Sequence, residues 1–330
     1  MKKSRILILT ALVFLMLFAL IACSDDTGEV KDTTAQVVYY TVTFDSNQGS
    51  ATDAQKVAKD GYASEPDAPE RAGYIFDGWS CDGEAWSFST DKITSDITLE
   101  AKWISADAVY SYSSDGKSAT ITGTKRNMTV MRIPTLINGL PVTAIGESAF
   151  EDTSSEDIAS VVIPDTVASV GKNAFKNCTG VSIVIEGALT SLGEGAFLGC
   201  EALESVTLGE GLQVIPYEAF AGCISLKEIR LPQGVTLIDE NAFEECEALV
   251  SVMMYSTVSK VESTAFRFCD KLAVVYYYGT EADFKAISMA SGNDSLADAK
   301  LCLYSQTKPE QGGDVDYWYL DEKGRIKIWK

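Results

Sequence analysis

An alanine-phenylalanine pair recurs from residue 149 onward at a nearly constant spacing, and the apolar residues between successive pairs keep the same order. The spacing of 22 to 25 residues predicts a solenoid, in which each coil contacts only the coils before and after it. The phenylalanines of these pairs are Phe150, Phe175, Phe197, Phe220, Phe243 and Phe266.

One repeat, residues 226–246, reads LKEIRLPQGVTLIDENAFEEC and combines a short strand with two turns. Pro232 ends the hydrogen bonding of the strand because it has no backbone N–H. A single coil buries only one layer of apolar side chains, which cannot offset its backbone entropy. Layers stacked at about 4.8 Å therefore have to fold together. The apolar positions are Leu226, Ile229, Leu231, Val235, Ile238, Ala242, Phe243 and Cys246.

Five of the eight cysteines occupy the same point in consecutive coils, three residues after the phenylalanine. We predict that they point inward as small buried thiols. Oxidation between neighbouring coils stays open, whereas a zinc site is not expected because a row of single cysteines converges on no point. The first coil has Thr153 instead, and the coil from 178 to 200 is one residue short. The five are Cys178, Cys200, Cys223, Cys246 and Cys269.

Residues 39–104 have a different pattern, in which apolar and polar side chains alternate between turn residues. Val42 and Phe44 share one face of a predicted strand, and Ile97 and Leu99 share one face of another. This range is therefore predicted to form a small, mostly β module.

The repeat region, residues 105–279, begins with an alternating segment that turns at Asp115. We predict a hairpin there that covers the open end of the solenoid. Residues 280–330 are predicted to cap the other end, with a helix that starts at a capping box of Thr280 and Asp283 and with a final hairpin. The aromatic residues of this hairpin are expected to pack on the last coil.

The amino terminus has the pattern of an export signal, residues 1–22, with basic residues followed by an uncharged apolar run. The run ends in LIAC, which resembles a bacterial lipobox and implies that Cys23 is lipidated and attaches the chain to a membrane. The alternative is that the run stays in place as a transmembrane anchor. Residues 23–38 are polar and are predicted to be a flexible spacer.

The net charge of −20 and the pI near 4.4 argue against a nucleic-acid partner, because phosphate binding needs clustered basic residues. The chain has no histidine, which removes the histidine-based catalytic triads and histidine metal ligands. We therefore expect no catalytic residue, no cofactor and no metal. Carboxylates are abundant, so a glycosidase-like pair stays open, although none lies in a recognisable motif.

The repeat pattern LxxIxLPxxVxxIxxxAFxxCxxL closely resembles the BspA-type, or Treponema pallidum-type, leucine-rich repeat over about residues 128 to 278. This resemblance implies a mainly β fold, a bacterial cell-surface solenoid of about six to seven coils. The segments VTFDSNQG, GYIFDGW and ITLEAKW resemble the Listeria-Bacteroides repeat, also called the internalin B repeat. That second resemblance implies a β-grasp-like module without catalytic residues.

Together these features predict a lipid-anchored protein of the cell envelope, exposed outside the cytoplasm, that acts as an adhesin. The expected partner is an extracellular host-matrix protein or a bacterial surface protein. A surface hydrolase acting on glycans or peptides and a passive structural spacer are the alternatives.

The predicted binding surface is a stripe of outward-facing strand residues, one from each coil. Side chains alternate along a strand, so the residue between two inward positions faces away from the core. Strand propensity alone is the alternative explanation for the valines in this stripe. Its residues are Val162, Val184, Thr207, Arg230, Met253 and Tyr276.

Overall fold

The computed structural model describes residues 37–125, 127–154, 156, 158–309 and 316–329. The predicted signal, Cys23 and most of the predicted spacer lie outside the described residues. The described residues from Tyr39 onward form one compact unit. Within the described part of the chain, no helix is long and apolar enough to cross a membrane.

The first module is a five-stranded sheet in the order β2-β1-β5-β3-β4. Its first and last long strands lie side by side and parallel, while β3 is antiparallel to β5. Phe44 and Trp79 meet edge to face in its core, at 4.9 Å between ring centroids. The predicted alternation is confirmed, because Val42, Phe44 and Leu99 are all buried. The strands are β1 Tyr39–Asp45, β2 Gln55–Ala58, β3 Tyr74–Cys81, β4 Glu84–Ala85 and β5 Ile97–Ser105.

The described residues that follow form a solenoid. Its coils contribute strands to two sheets, each built mainly of parallel strands, which we name the front sheet and the back sheet. In chain order its elements are α1 Ala106–Val109, β6 Tyr110–Ser114, β7 Ala119–Thr124, β8 Val130–Arg132, β9 Leu136–Ile137, β10 Leu140–Ile145, β11 Ser160–Ile163, β12 Ser169–Val170, β13 Ser182–Ile185, β14 Ser191–Leu192, β15 Val214–Ile215, β16 Glu228–Arg230, β17 Leu237–Ile238, β18 Ser251–Tyr255, β19 Lys260–Val261, β20 Val274–Tyr278, α2 Glu281–Lys285, β21 Ser288–Met289, α3 Asp294–Asp298, β22 Lys300–Tyr304, β23 Asp316–Leu320 and β24 Ile326–Ile328.

The predicted hairpin is present at the amino-terminal end of the solenoid. β6 and β7 are antiparallel, and β7 pairs with β10, the first long strand of the back sheet. Asp115 forms the turn by accepting hydrogen bonds from the backbone N–H groups of Lys117 and Ser118, at 2.8 and 2.7 Å. The hairpin therefore covers the first coil of the back sheet.

The front sheet consists of the strands that carry the predicted stripe, and the back sheet consists of the short strands that follow them. Both sheets are interrupted at the third coil. The front sheet divides into β13-β11-β8 and β16-β18-β20-β22-β23-β24, and the back sheet divides between β14 and β15. Among the described residues, the one isolated β-bridge lies at this interruption. It is a parallel bridge that pairs Leu189 with Leu208, both outside the named strands.

The short coil lies directly before the interruption. Two residues separate the inward-facing Leu226 and Ile229, but one residue separates the buried Val181 and Ile183. The strand β13 of this coil pairs along its whole length with β11 of the preceding coil. Residues 204–207 of the following coil form no strand, and the parallel ladder resumes at β16.

The predicted stack of phenylalanines forms one side of the core. Neighbouring rings from Phe150 to Phe266 lie 5.1 to 5.6 Å apart between centroids and are nearly parallel. Their backbones are also linked, since the N–H of Phe175 donates to the carbonyl of Ala196 in the next coil at 2.9 Å. Each coil is therefore joined to the next through both its side chains and its backbone.

The carboxyl-terminal end contains the predicted capping box and hairpin. The Thr280 hydroxyl accepts from the Asp283 N–H, and the Asp283 carboxylate accepts from the Thr280 N–H. β23 and β24 form the antiparallel hairpin, but they also extend the front sheet, because β23 pairs with β22. The front sheet thus continues beyond the last recognisable repeat.

Candidate binding surface and the cysteine ladder

The five repeat cysteines form a ladder of thiols inside the solenoid, as predicted. All five are fully buried and none forms a disulfide. Each Sγ donates a hydrogen bond to the phenylalanine carbonyl of the preceding coil, as Cys246 does to Phe220 at 3.2 Å. The other four bonds join Cys178 to Phe150, Cys200 to Phe175, Cys223 to Phe197 and Cys269 to Phe243, at 3.1 to 3.2 Å.

Burial makes these thiols poor nucleophiles. It raises the pKa of Cys200, Cys223 and Cys246 well above the usual value, and it raises the pKa of Cys269 to about 12. A thiolate is the reactive form of cysteine, so a raised pKa lowers reactivity at neutral pH. The ladder therefore acts as core packing with an added hydrogen bond.

The predicted stripe is divided into two parts by the interruption of the sheet. In the first part Val162 lies between Arg132 and Val184 on neighbouring strands. In the second part Arg230, Met253 and Tyr276 are directly paired. Thr207 is exposed but lies outside both ladders. Of the other five, Val184 and Arg230 are exposed, Val162 and Tyr276 are half-buried, and Met253 is buried.

Met253 is buried because the carboxyl-terminal hairpin covers it. Met253, Cys302 and Trp318 form a small apolar cluster on the front sheet, separate from the solenoid core. Trp318 is fully buried and contacts Tyr278 and Tyr304 edge to face, at 4.7 and 5.0 Å between centroids. This confirms that an aromatic residue of the tail packs on the last coils.

A second line of aromatic side chains lies beside the stripe, at the last position of three front-sheet strands. The rings of Tyr255 and Tyr278 are stacked with centroids 4.3 Å apart, and the rings of Tyr278 and Tyr304 are tilted by 39° with centroids 4.4 Å apart. All three are half-buried. We name Tyr255, Tyr278 and Tyr304 the tyrosine row. The sequence analysis missed it, although a tyrosine at the same strand position in β18, β20 and β22 was the available signal.

Two tyrosines of the row have a raised pKa. Burial raises the pKa of Tyr255, and burial followed by the neighbouring Tyr255 and Tyr304 raises the pKa of Tyr278 further. Tyr255 and Tyr278 therefore present uncharged phenol groups and aromatic faces. Arg230 lies on the adjacent strand β16 and forms an exposed ion pair with Glu228, at 3.5 Å.

Five carboxyl groups have a pKa shift opposite to the one that a general acid needs. A glycosidase needs a carboxyl group whose pKa is raised. Among the described residues, no group of three or more cysteine, aspartate and glutamate side chains could hold a metal ion. In these five groups, hydrogen bonds or lysine and arginine partners stabilise the charged form and lower the pKa below its usual value. They are Asp115, Glu151, Glu204, Asp283 and Asp321.

Two curated relatives come from Evansella cellulosilytica. One is named "Putative Gly-rich membrane protein" and is 40% identical over 82 residues, which are 24% of this chain and 10% of the relative. The other is named "Putative membrane protein" and is 37% identical over 86 residues, which are 25% of this chain and 13% of the relative. This chain thus matches about a tenth of the length of these relatives.

Two solved structures are also similar to this chain. The Treponema pallidum leucine-rich repeat protein is 26% identical and covers 57% of this chain and 85% of its own, with a TM-score of 0.48. A leucine-rich cell surface protein from Faecalibacterium prausnitzii is 31% identical and covers 54% of this chain and 40% of its own, with a TM-score of 0.38.

Two family models match long segments of the chain. Residues 142–273 match the BspA-type leucine-rich repeat region in six copies. Residues 40–102 match the Listeria-Bacteroides repeat domain. Both resemblances predicted from the sequence are therefore confirmed. The chain therefore contains a region similar to BspA-type leucine-rich repeats over residues 142–273, with a segment similar to the Listeria-Bacteroides repeat domain in front of it.

Proposed function

We propose that this chain is an adhesin-like bacterial surface protein that binds another protein through the front sheet of its solenoid. Its assignment to the BspA-type repeats supports a surface role. The partner would be an extracellular host-matrix protein or a protein on another bacterial surface. Binding is proposed in place of catalysis, because the chain has no histidine and its carboxylates lie in no recognisable catalytic motif.

The tyrosine row is the observation that carries this proposal. Tyrosine, tryptophan and arginine are the residue types that dominate binding energy at protein interfaces. Ring contacts already restrict the rotation of the Tyr255, Tyr278 and Tyr304 side chains. These side chains would therefore lose little further conformational entropy when a partner binds. The buried Trp318 packs edge to face against Tyr278 and Tyr304 of the row. Arg230 adds a charged group on a neighbouring strand.

The proposal includes membrane attachment through a lipid on Cys23. The lipobox-like sequence LIAC supports it, together with the apolar run before Cys23. The names of the two Evansella relatives agree with a membrane location for those proteins.

A capture experiment tests the front sheet. The soluble chain, residues 24–330, is immobilised, and proteins from host matrix and bacterial surface extracts are identified by mass spectrometry. The variant Arg230→Ser with Tyr255→Ser should reduce capture of the identified partner at least tenfold, because two interface anchors are lost. Met253 is left unchanged, since it is buried and its replacement would disturb the fold.

A matched control distinguishes the tyrosine row from a general loss of surface residues. The variant Tyr217→Ser with Lys271→Ser also removes one exposed tyrosine and one exposed cation, away from the front sheet. It should capture the partner as the unaltered chain does. Equal capture by both double variants, with equal thermal unfolding temperatures, would show that the front sheet is not the binding surface.

A further inference from the structure

A cleft of about 510 Å³ lies between the first module and the beginning of the solenoid. One wall is the loop 68–74 of the module, and the other includes Arg132, Pro164 and Glu186 near the ends of the first front-sheet strands. The walls are held together because Ile75 of the module packs into the solenoid core. Clefts of this volume bind small molecules or short chain segments. The cleft shares no residue with the tyrosine row.

Two arginines line this cleft without a carboxylate partner. In the part of the chain that the structure describes, Arg230, Arg267 and Arg325 each form an ion pair. Arg71 and Arg132 form none, although the whole chain has 47 acidic and 27 basic residues. Carboxylates are thus in excess, but the two arginines that face the same cleft remain available to a carboxylate from outside.

The guanidinium group of Arg71 is already held in place. It donates to the Asn47 carbonyl at 3.4 Å and to Oε1 of Gln48 at 3.1 Å, and it lies 4.0 Å from the ring centroid of Tyr74. The backbone at Arg132 is also fixed, because the buried Tyr110 hydroxyl donates to its carbonyl at 2.8 Å. A positioned guanidinium loses less entropy when it binds a carboxylate.

We propose that this cleft binds an acidic peptide segment, with Arg71 and Arg132 receiving its carboxylates. The forked N–H donors of arginine match the two oxygens of a carboxylate. Trp103 and the exposed Tyr74 supply apolar surface for the backbone of the peptide and for the CH2 groups of its acidic side chains.

Local charge at the cleft repels such a ligand less than the rest of the chain does. Glu70 and Glu186 also line the cleft, so its four charged side chains balance. The chain as a whole carries a net charge of −20, which repels acidic peptides elsewhere. The attraction should weaken as salt is added, because the arginines are in contact with solvent.

Fluorescence anisotropy with a labelled tetra-glutamate peptide tests the proposal on residues 24–330. We expect saturable binding at low salt that weakens with added sodium chloride, and no binding of a labelled tetra-glutamine peptide. Arg71→Gln and Arg132→Gln should each weaken tetra-glutamate binding about tenfold, which is the loss of one charge-assisted contact. Thermal unfolding of each variant checks that the fold is retained.

Lys117→Gln and Lys271→Gln are the matched controls, because each removes one exposed positive charge away from the cleft. They should bind tetra-glutamate as the unaltered chain does. An equal loss in the lysine and arginine variants, or no tetra-glutamate binding at all, would overturn the proposal. Displacement of the peptide by a tenfold lower concentration of oligogalacturonate would also overturn it, since the cleft would then prefer an acidic glycan.

Discussion

In every coil, two residues have left-handed backbone angles. The first lies two positions before the phenylalanine of the coil, and the second lies two positions after it. Some coils place glycine or asparagine there, as expected for this conformation. Other coils place residues that are poorly suited to it, namely Glu218, Glu245, Thr264 and Phe268. The repeat pattern predicts the phenylalanines, but it does not predict these turns, because the residue types at the flanking positions vary.

Glu245 gives a test of this backbone strain. It is exposed and has a φ of 59°, so Glu245→Gly relieves about 1–2 kcal/mol of strain and costs about 0.5–1 kcal/mol of unfolded-state entropy. We expect a net gain of about 0.5–1 kcal/mol in the free energy of unfolding, measured by urea titration. Glu247→Gly is the control: Glu247 is exposed without a positive φ, and this substitution should destabilise the chain. The same sign in both variants would contradict the explanation.

The cysteine ladder also gives a prediction at the scale of single residues. Iodoacetamide should modify Cys178, Cys200, Cys223, Cys246 and Cys269 far more slowly in the native chain than in urea, because all five thiols are buried. Burial also raises the pKa of the last four, so their reactive thiolates are rare.

Cys81 serves as the internal reference for this alkylation. It is only partly buried, and burial followed by Asp82 and Glu100 raises its pKa. Its modification should therefore accelerate as the pH rises toward its raised pKa, while the ladder remains protected. Peptide mass spectrometry reads each site, and fast native labelling of a ladder cysteine would mean that the thiol is reactive.

At the scale of elements, the sequence was most informative where neighbours in the chain decide the structure. The hairpin that turns at Asp115 and the capping box of Thr280 both depend on residues within a few positions of each other. The phenylalanine stack follows from the constant period. The interruption at the third coil was not predicted, because the pairing of strands from two different coils depends on contacts between residues that are distant in the sequence.

Asn293 ends the phenylalanine ladder, and the period does not reveal it because it lies beyond the last repeat. Its Oδ1 accepts from the Phe266 N–H at 3.0 Å, in place of the carbonyl that a further coil would supply. Its Nδ2 donates to the carbonyls of Glu262 and Ala290, at 2.8 and 2.9 Å. Asn293 is 3% exposed, so these groups cannot turn to water without local opening.

Asn293→Leu should therefore destabilise the chain by about 2–4 kcal/mol, since it leaves buried polar groups unpaired. Native hydrogen exchange should also accelerate at the Phe266 N–H but not at the Phe220 N–H, whose partner is Ala242. The exposed Asn127→Leu is the control and should change stability by less than about 0.5 kcal/mol. An unchanged rate of hydrogen exchange at the Phe266 N–H in Asn293→Leu would show that Asn293 does not protect the end of the phenylalanine ladder.

At the scale of the whole molecule, the surfaces of functional interest arise where distant segments meet. Trp318 covers strands that lie 40 or more positions earlier in the sequence, and the cleft combines Arg71 with Arg132 from different modules. Alternation within a strand predicted an outward-facing stripe, but it could not show that the tail buries Met253. A repeat pattern describes contacts between adjacent coils and gives no information about contacts of this kind.

Attachment to the membrane is the last property of the whole molecule that can be tested directly. Cys23 lies outside the described residues, so the prediction rests on the sequence alone. If Cys23 carries lipid, Cys23→Ala should leave unprocessed precursor or release protein from the membrane fraction, because the substitution removes the thiol to which the lipid would be attached. The measurement is the intact mass together with fractionation of bacterial cells.

Cys81→Ala is the matched control for this experiment, since it removes a free thiol from the module and leaves the amino terminus unchanged. Its mass should differ from that of the unaltered protein only by the substitution, and it should stay in the membrane fraction. If Cys23→Ala behaves in the same way, with no unprocessed form and no release, the chain is held by the apolar run of residues 6–22 as a transmembrane helix. Precursor accumulation in Cys23→Ala alone would instead assign the anchor to lipid on Cys23.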